Sequence, residues 1–141
     1  MFGKRGAFAI LAVAALGGIG LWFAFARGSA PPAGAGAPLA QVSVPALSGA
    51  ALAGEAAFGR YCAACHGDNA AGRDGAGPPL VHVIYEPGHH SDAAFYLAAQ
   101  RGVRSHHWPF GDMPPVDGVS GDDIADIVAY VRTLQRANRI N

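Results

Sequence analysis

The stretch FGRYCAACHGDN, residues 58–69, holds both cysteines of the chain, with His66 directly after Cys65. Two thiols three positions apart are compatible with a redox-active disulfide, with half of a zinc site, or with the attachment point of a haem. A disulfide between them would close too small a loop to staple a domain. The residues on either side have to decide between these chemistries.

Upstream, ALAGEAAFGRYCAACH (51–66) places Phe58, Tyr61, Cys62 and Cys65 at i, i+3, i+4 and i+7, which predicts one face of a continuous helix. Downstream, SDAAFYLAAQRG (91–102) opens on Ser91 as an N-cap and stops at Gly102, a short helix. The last periodic stretch is SGDDIADIVAYVRTLQRANRI (120–140). Ser120 and Asp123 resemble a capping box, and Ile124, Ile127, Val128, Val131 and Leu134 trace a buried stripe. Arg132, Arg136 and Arg139 lie toward its end, where the helix dipole favours cations. No stretch alternates as a strand. The expected class is all-α, with three or more helices and two long Gly/Pro-rich loops, 67–90 and 102–119. So much loop is unusual in a compact domain. A segment as short as 49–141 buries only a small core, so something large and apolar in its middle would resolve the difficulty.

Ahead of that segment the composition changes. Charged residues make up 14% of the chain and the formal net charge is zero, so no basic field points to nucleic acid. Lys4, Arg5 and Arg27 are the only charges before residue 50; from Gly49 onward seven arginines face ten acids, with no lysine. Gly6 to Ala26 is uncharged and mostly apolar, ~30 Å long as a helix, about one hydrocarbon core. Residues 1–5 are then expected in the cytoplasm, 6–26 as a transmembrane anchor, 27–48 as a flexible Ala/Pro/Gly linker, and 49–141 as the exported domain. Ala24-Phe25-Ala26 also fits a signal-peptidase site, and cleavage after Ala26 would leave a soluble periplasmic protein.

Thioredoxin-like chemistry wants a strand before the cysteine pair, and the residues before Cys62 are Ala-rich and helical. Zinc needs four ligands; histidines could complete the set, but nothing in that chemistry requires His66 beside Cys65. Haem attachment uses all three residues: two thioethers from Cys62 and Cys65, and an imidazole from His66 facing the iron. It also consumes both thiols, which suits an oxidising compartment.

On these residues the chain resembles the class I cytochromes c, the small monohaem electron carriers, over about residues 50–137. The resemblance rests on a helix running into Cys-x-x-Cys-His, on GPPL (77–80), on a methionine loop and on a final amphipathic helix. It implies a covalently attached haem c, with His66 as proximal ligand and the Pro78 carbonyl accepting a hydrogen bond from His66 Nδ1–H. It also implies Leu80 packed on the haem, and Gly54, Phe58 and Tyr130 where the first and last helices cross. Met113 in FGDMPPV (110–116), 47 residues after His66, falls where the family carries its distal ligand. A lone methionine is more often a gap-filler in a core, but the flanking Asp112, Pro114 and Pro115 place this one in a stiffened loop. Trp108 is expected to wall the haem pocket.

The resemblance further implies one-electron transfer between membrane respiratory or photosynthetic complexes, from a domain tethered to the bilayer on the periplasmic side. The competing function is a haem protein with an open sixth position, acting as a peroxidase or gas-ligand sensor. The absence of lysine from the domain departs from carriers that dock through a lysine ring, so apolar or mixed contact around the haem edge is expected instead. His82, His89, His90, His106 and His107 are read first as solvated or loop-packing residues. Convergence of the two His pairs on a surface metal is the alternative.

Overall fold

The computed structural model describes residues 36–141. The expected segments 1–5 and 6–26, and the start of the 27–48 linker, lie outside the described residues. Among the described residues no helix is long and apolar enough to cross a membrane.

The all-α expectation is met. Among the described residues there are four helices, α1 (Gly49–Tyr61), α2 (Ala63–His66), α3 (Asp92–Arg101) and α4 (Gly121–Ala137), with short 3₁₀ turns at Asp68–Ala70 and Val83–Tyr85. Among the described residues there is no strand, only isolated bridges pairing Arg73 with Gly77 and Val103 with Met113.

α4 forms as its pattern dictates. Ser120 Oγ accepts from the Asp123 amide at 3.0 Å, and the Asp123 carboxylate accepts from the Ser120 amide at 3.1 Å. Two of the orphan amides at the helix start are satisfied in this way. Ile124, Ile127, Val128, Val131 and Leu134 are all buried. Of the three arginines expected near the end, only Arg136 lies in the last turn, because the helix stops at Ala137 and Arg139 lies beyond it. Arg132 turns inward instead.

The core is built where α1 and α4 cross. A side chain at Gly54 would put its Cβ 1.9 Å from the Asp126 carbonyl oxygen and 2.9 Å from Tyr130 Cβ, so only glycine lets the two backbones come this close. One turn on, the rings of Phe58 and Tyr130 meet at 5.5 Å and 55°. Ala57, Ala70, Leu80, Val81, Ile127, Val131 and Leu134 complete the cluster.

Two polar residues of α4 extend this core toward the loops. Gln135 Nε2 donates to the carbonyls of Leu80 (2.8 Å) and Tyr85 (2.9 Å). The Arg132 guanidinium donates to the Tyr85 carbonyl, the Gln135 amide oxygen, the His90 carbonyl and the Asp92 carboxylate. It also lies 4.9 Å from the centre of the Phe95 ring. A buried guanidinium is tolerated only with such a full set of partners. This residue therefore fixes the 83–91 segment and the start of α3 on α4.

Two expectations are corrected. The helix through the cysteines is not continuous: Cys62 adopts φ −123°, ψ −34°, ending α1 before α2 begins. The break rotates the apolar face, so Cys65 is exposed rather than buried beneath Phe58. The flexible-linker reading also fails over residues 36–48. Leu39 and Ala40 donate backbone hydrogen bonds to the Ala71 carbonyl, and Gly36 and Ala37 pair with Asp74. Ser43 exchanges two 2.9 Å hydrogen bonds with the Asn138 side chain. Val42 and Leu47 pack against the core. A Pro-rich composition forbids helix there but not an extended strap with two apolar anchors.

Candidate cofactor attachment site

The short helix α2 places the site. Backbone hydrogen bonds from Cys65 and His66 to the Cys62 carbonyl wind one tight turn, so both sulfurs and the imidazole come from a single rigid loop. Gly67, with φ +69°, then reverses the chain; a Cβ there would lie 2.2 Å from the Gly72 carbonyl oxygen. The GPPL segment folds back against this turn. Gly77 permits it, since a Cβ would stand 2.7 Å from the Cys65 carbonyl oxygen.

The outcome is one defined contact. His66 is buried, and its Nδ1 lies 2.9 Å from the Pro78 carbonyl oxygen. A carbonyl only accepts, so Nδ1 carries the proton and Nε2 keeps its lone pair. Burial pushes the imidazole pKa below the usual histidine value, against the opposing pull of the Pro78 carbonyl. The ring is thus neutral, oriented and ready to act as a donor to a metal. Leu80 is buried two residues further on, within the α1–α4 core.

Cys62 is not set up as an activated thiolate. Both cysteines are free. Burial and the neighbouring Cys65 push the Cys62 thiol up to about 11, the reverse of the depressed values of nucleophilic thiolates.

The methionine sits on a closed loop. Val103 and Met113 exchange two backbone hydrogen bonds of 2.9 Å, tying off residues 104–112. Inside it, the Ser105 amide donates to the Asp112 carboxylate (2.8 Å) and Ser105 Oγ to the Trp108 carbonyl (2.6 Å). Gly102, at φ +74°, lies against the Met113 carbonyl, where a Cβ would approach to 2.4 Å. Met113 itself is half-buried. The Trp108 ring stacks with Phe110 at 6.1 Å and meets His82 edge-on at 5.2 Å, joining the loop to the 80–85 segment.

These residues fit a haem on two observations. Trp108 Nε1 is buried without a hydrogen-bond acceptor among the described residues. A buried indole N–H wants an acceptor, and a haem propionate could supply one. In addition, no residue from His82 to Asp123 is fully buried, although Phe95, Tyr96, Val103, Trp108 and Phe110 lie among them. A flat apolar group seated against them would complete that half of the core.

Arg132 and Gln135 were not singled out from sequence as organisers of the site, yet a signal was present. Both fall on the apolar stripe of α4, at i+4 from Val128 and Val131. Polar residues in such positions need buried partners. The two His pairs, 89–90 and 106–107, are brought together by ring contacts, with His89, His106 and His107 exposed.

The cytochrome c family model matches residues 51–135. No curated protein matches the chain, and no solved structure does.

Proposed function

Because the chain belongs to the cytochrome c family, whose cofactor is a covalently attached haem c, we propose that it is a one-electron carrier with the iron held between His66 and Met113. Cys62 and Cys65 would form the thioethers. The observation that carries this reading is the hydrogen bond from His66 Nδ1–H to the Pro78 carbonyl, which leaves the Nε2 lone pair of a buried imidazole free, directly after Cys65 in the chain. Haem supplies the reversible Fe(III)/Fe(II) couple, and a thioether opposite imidazole favours the reduced state.

The chain's own contribution is rigidity. Pro78 fixes the ring plane of His66, while the Val103–Met113 pairing and Gly102 hold the methionine strap. Trp108 would donate to a propionate. If His66 and Met113 both held the iron, O₂ and peroxide would find no open position there, which is what would separate a carrier from a peroxidase or gas sensor. The apolar segment 6–26 would anchor the domain on the periplasmic side of a bacterial inner membrane, beside the redox complexes it serves.

The purified protein should carry one haem covalently and show a low-spin ferric spectrum with the weak far-red band of iron–thioether bonding. Met113→Ala should abolish that band and let carbon monoxide bind the ferrous form. An unchanged spectrum in this variant would remove Met113 from the iron and favour the open-site reading.

A further inference from the structure

Outside the haem region the described residues hold one other cluster of metal-binding side chains. His89, His90 and His107 each present a ring nitrogen, and the three nitrogens all lie within 4.8 Å of one another. We propose that these three imidazoles form a surface site for one borderline divalent metal ion of the zinc(II)/copper(II) class.

The spacing suits such an ion. Tetrahedral bonds of about 2.0–2.1 Å put neighbouring ligand nitrogens about 3.4 Å apart. His89 Nε2 and His107 Nε2 already stand 3.5 Å apart. His90 needs only a modest closure, and the side chains of His89 and His107 are exposed and free to adjust.

The tautomer is also set. His90 Nδ1 lies 2.6 Å from the Ile84 carbonyl oxygen, so it carries the proton and Nε2 remains the donor atom. A ligating histidine whose other nitrogen is held by a carbonyl is the usual arrangement at metal sites. The His90 backbone is anchored in turn, its carbonyl accepting from Arg132. No carboxylate belongs to the group, which disfavours calcium and magnesium and suits metals that prefer imidazole. His106 stands outside the trio, with its Nδ1–H donating to the Arg104 carbonyl at 2.8 Å.

The cluster spans two segments distant in sequence. His89 and His90 precede α3, whereas His107 belongs to the loop closed by Val103 and Met113. An ion there would clamp one to the other.

The test uses the full-length, haem-loaded protein without an affinity tag, titrated calorimetrically with zinc(II) alone. One equivalent should bind, and the thermal midpoint should rise with zinc concentration. His89→Ala and His107→Ala should each weaken binding at least tenfold with the haem spectrum unchanged, while His82→Ala should bind as the wild type does. Copper(II) bound in place of zinc should show hyperfine coupling to nitrogen that diminishes in the same two variants. Failure to bind one equivalent, or binding equally strong in both variants, would overturn the site. Since the haem spectrum is recorded in every case, this failure is distinct from failure of the electron-carrier reading.

Discussion

The α1–α4 crossing and the 82–120 segment hold themselves together by different means. At the crossing, two helices approach until only glycine fits at position 54, and Phe58, Tyr130, Val131 and Leu134 are almost wholly removed from water. Across 82–120 no side chain is fully buried. Its order comes from backbone pairing at Val103–Met113, from loop hydrogen bonds, and from Arg132 reaching across out of α4. One region is a packed interior made of protein alone. The other is a wall, apolar on the side that would meet the haem and supported from behind by a single guanidinium.

If that contrast is correct, removing the attachment points should act unequally on the two regions. Replacing Cys62 and Cys65 by alanine should cost 82–120 at least about 100-fold in amide-exchange protection, and α4 distinctly less. Equal loss in both would mean that the two regions unfold as one unit. Gly54→Ala attacks the packed region directly. Its methyl meets the Asp126 carbonyl, and the variant should lose about 3 kcal/mol in denaturant unfolding. Arg132→Ala tests the bridge between the regions. With the His90 carbonyl, the Gln135 amide oxygen and the Asp92 carboxylate deprived of this donor, we expect about 2–3 kcal/mol of destabilisation, with loosening concentrated in 83–91. Ser120→Ala is the mildest, about 1 kcal/mol from a lost N-cap.

The same cap has a pH signature. Hydrogen bonds from Ser120 hold the Asp123 carboxyl below its ordinary value. A depressed folded-state pKa stabilises above the unfolded carboxylate range and loses that contribution as pH falls through the folded value. Ser120→Ala should therefore differ least from wild type in acid, which a series of thermal melts at decreasing pH would show.

Much of the packed region was legible from sequence because its signals are local. The period of Ile124 to Leu134, the Ser120–Asp123 pair and the stop at Gly102 each follow from neighbours a few residues away. The crossing at Gly54, Phe58 and Tyr130 came from family resemblance and is met in full. What escaped depends on contacts distant in the chain. The break at Cys62 is favoured by the GPPL turn folding back on Cys65. The 36–48 strap owes its order to Ala71, Asp74 and Asn138, and the burial of Arg132 is explained by carbonyls more than forty residues away. The histidine trio was the alternative reading of the two His pairs, and only the fold, by bringing His107 to His89 and His90, favours it.

The Ser43–Asn138 clasp has a topological consequence. It brings the N-terminal strap and the C-terminal end of α4 side by side, so the domain is nearly a closed ring of chain. Splicing those neighbouring ends and reopening the polypeptide at the exposed Pro87–Gly88 turn would give a permuted cytochrome whose sequence begins just ahead of His89 and ends at Pro87, beyond both the Cys62–His66 turn and the GPPL segment.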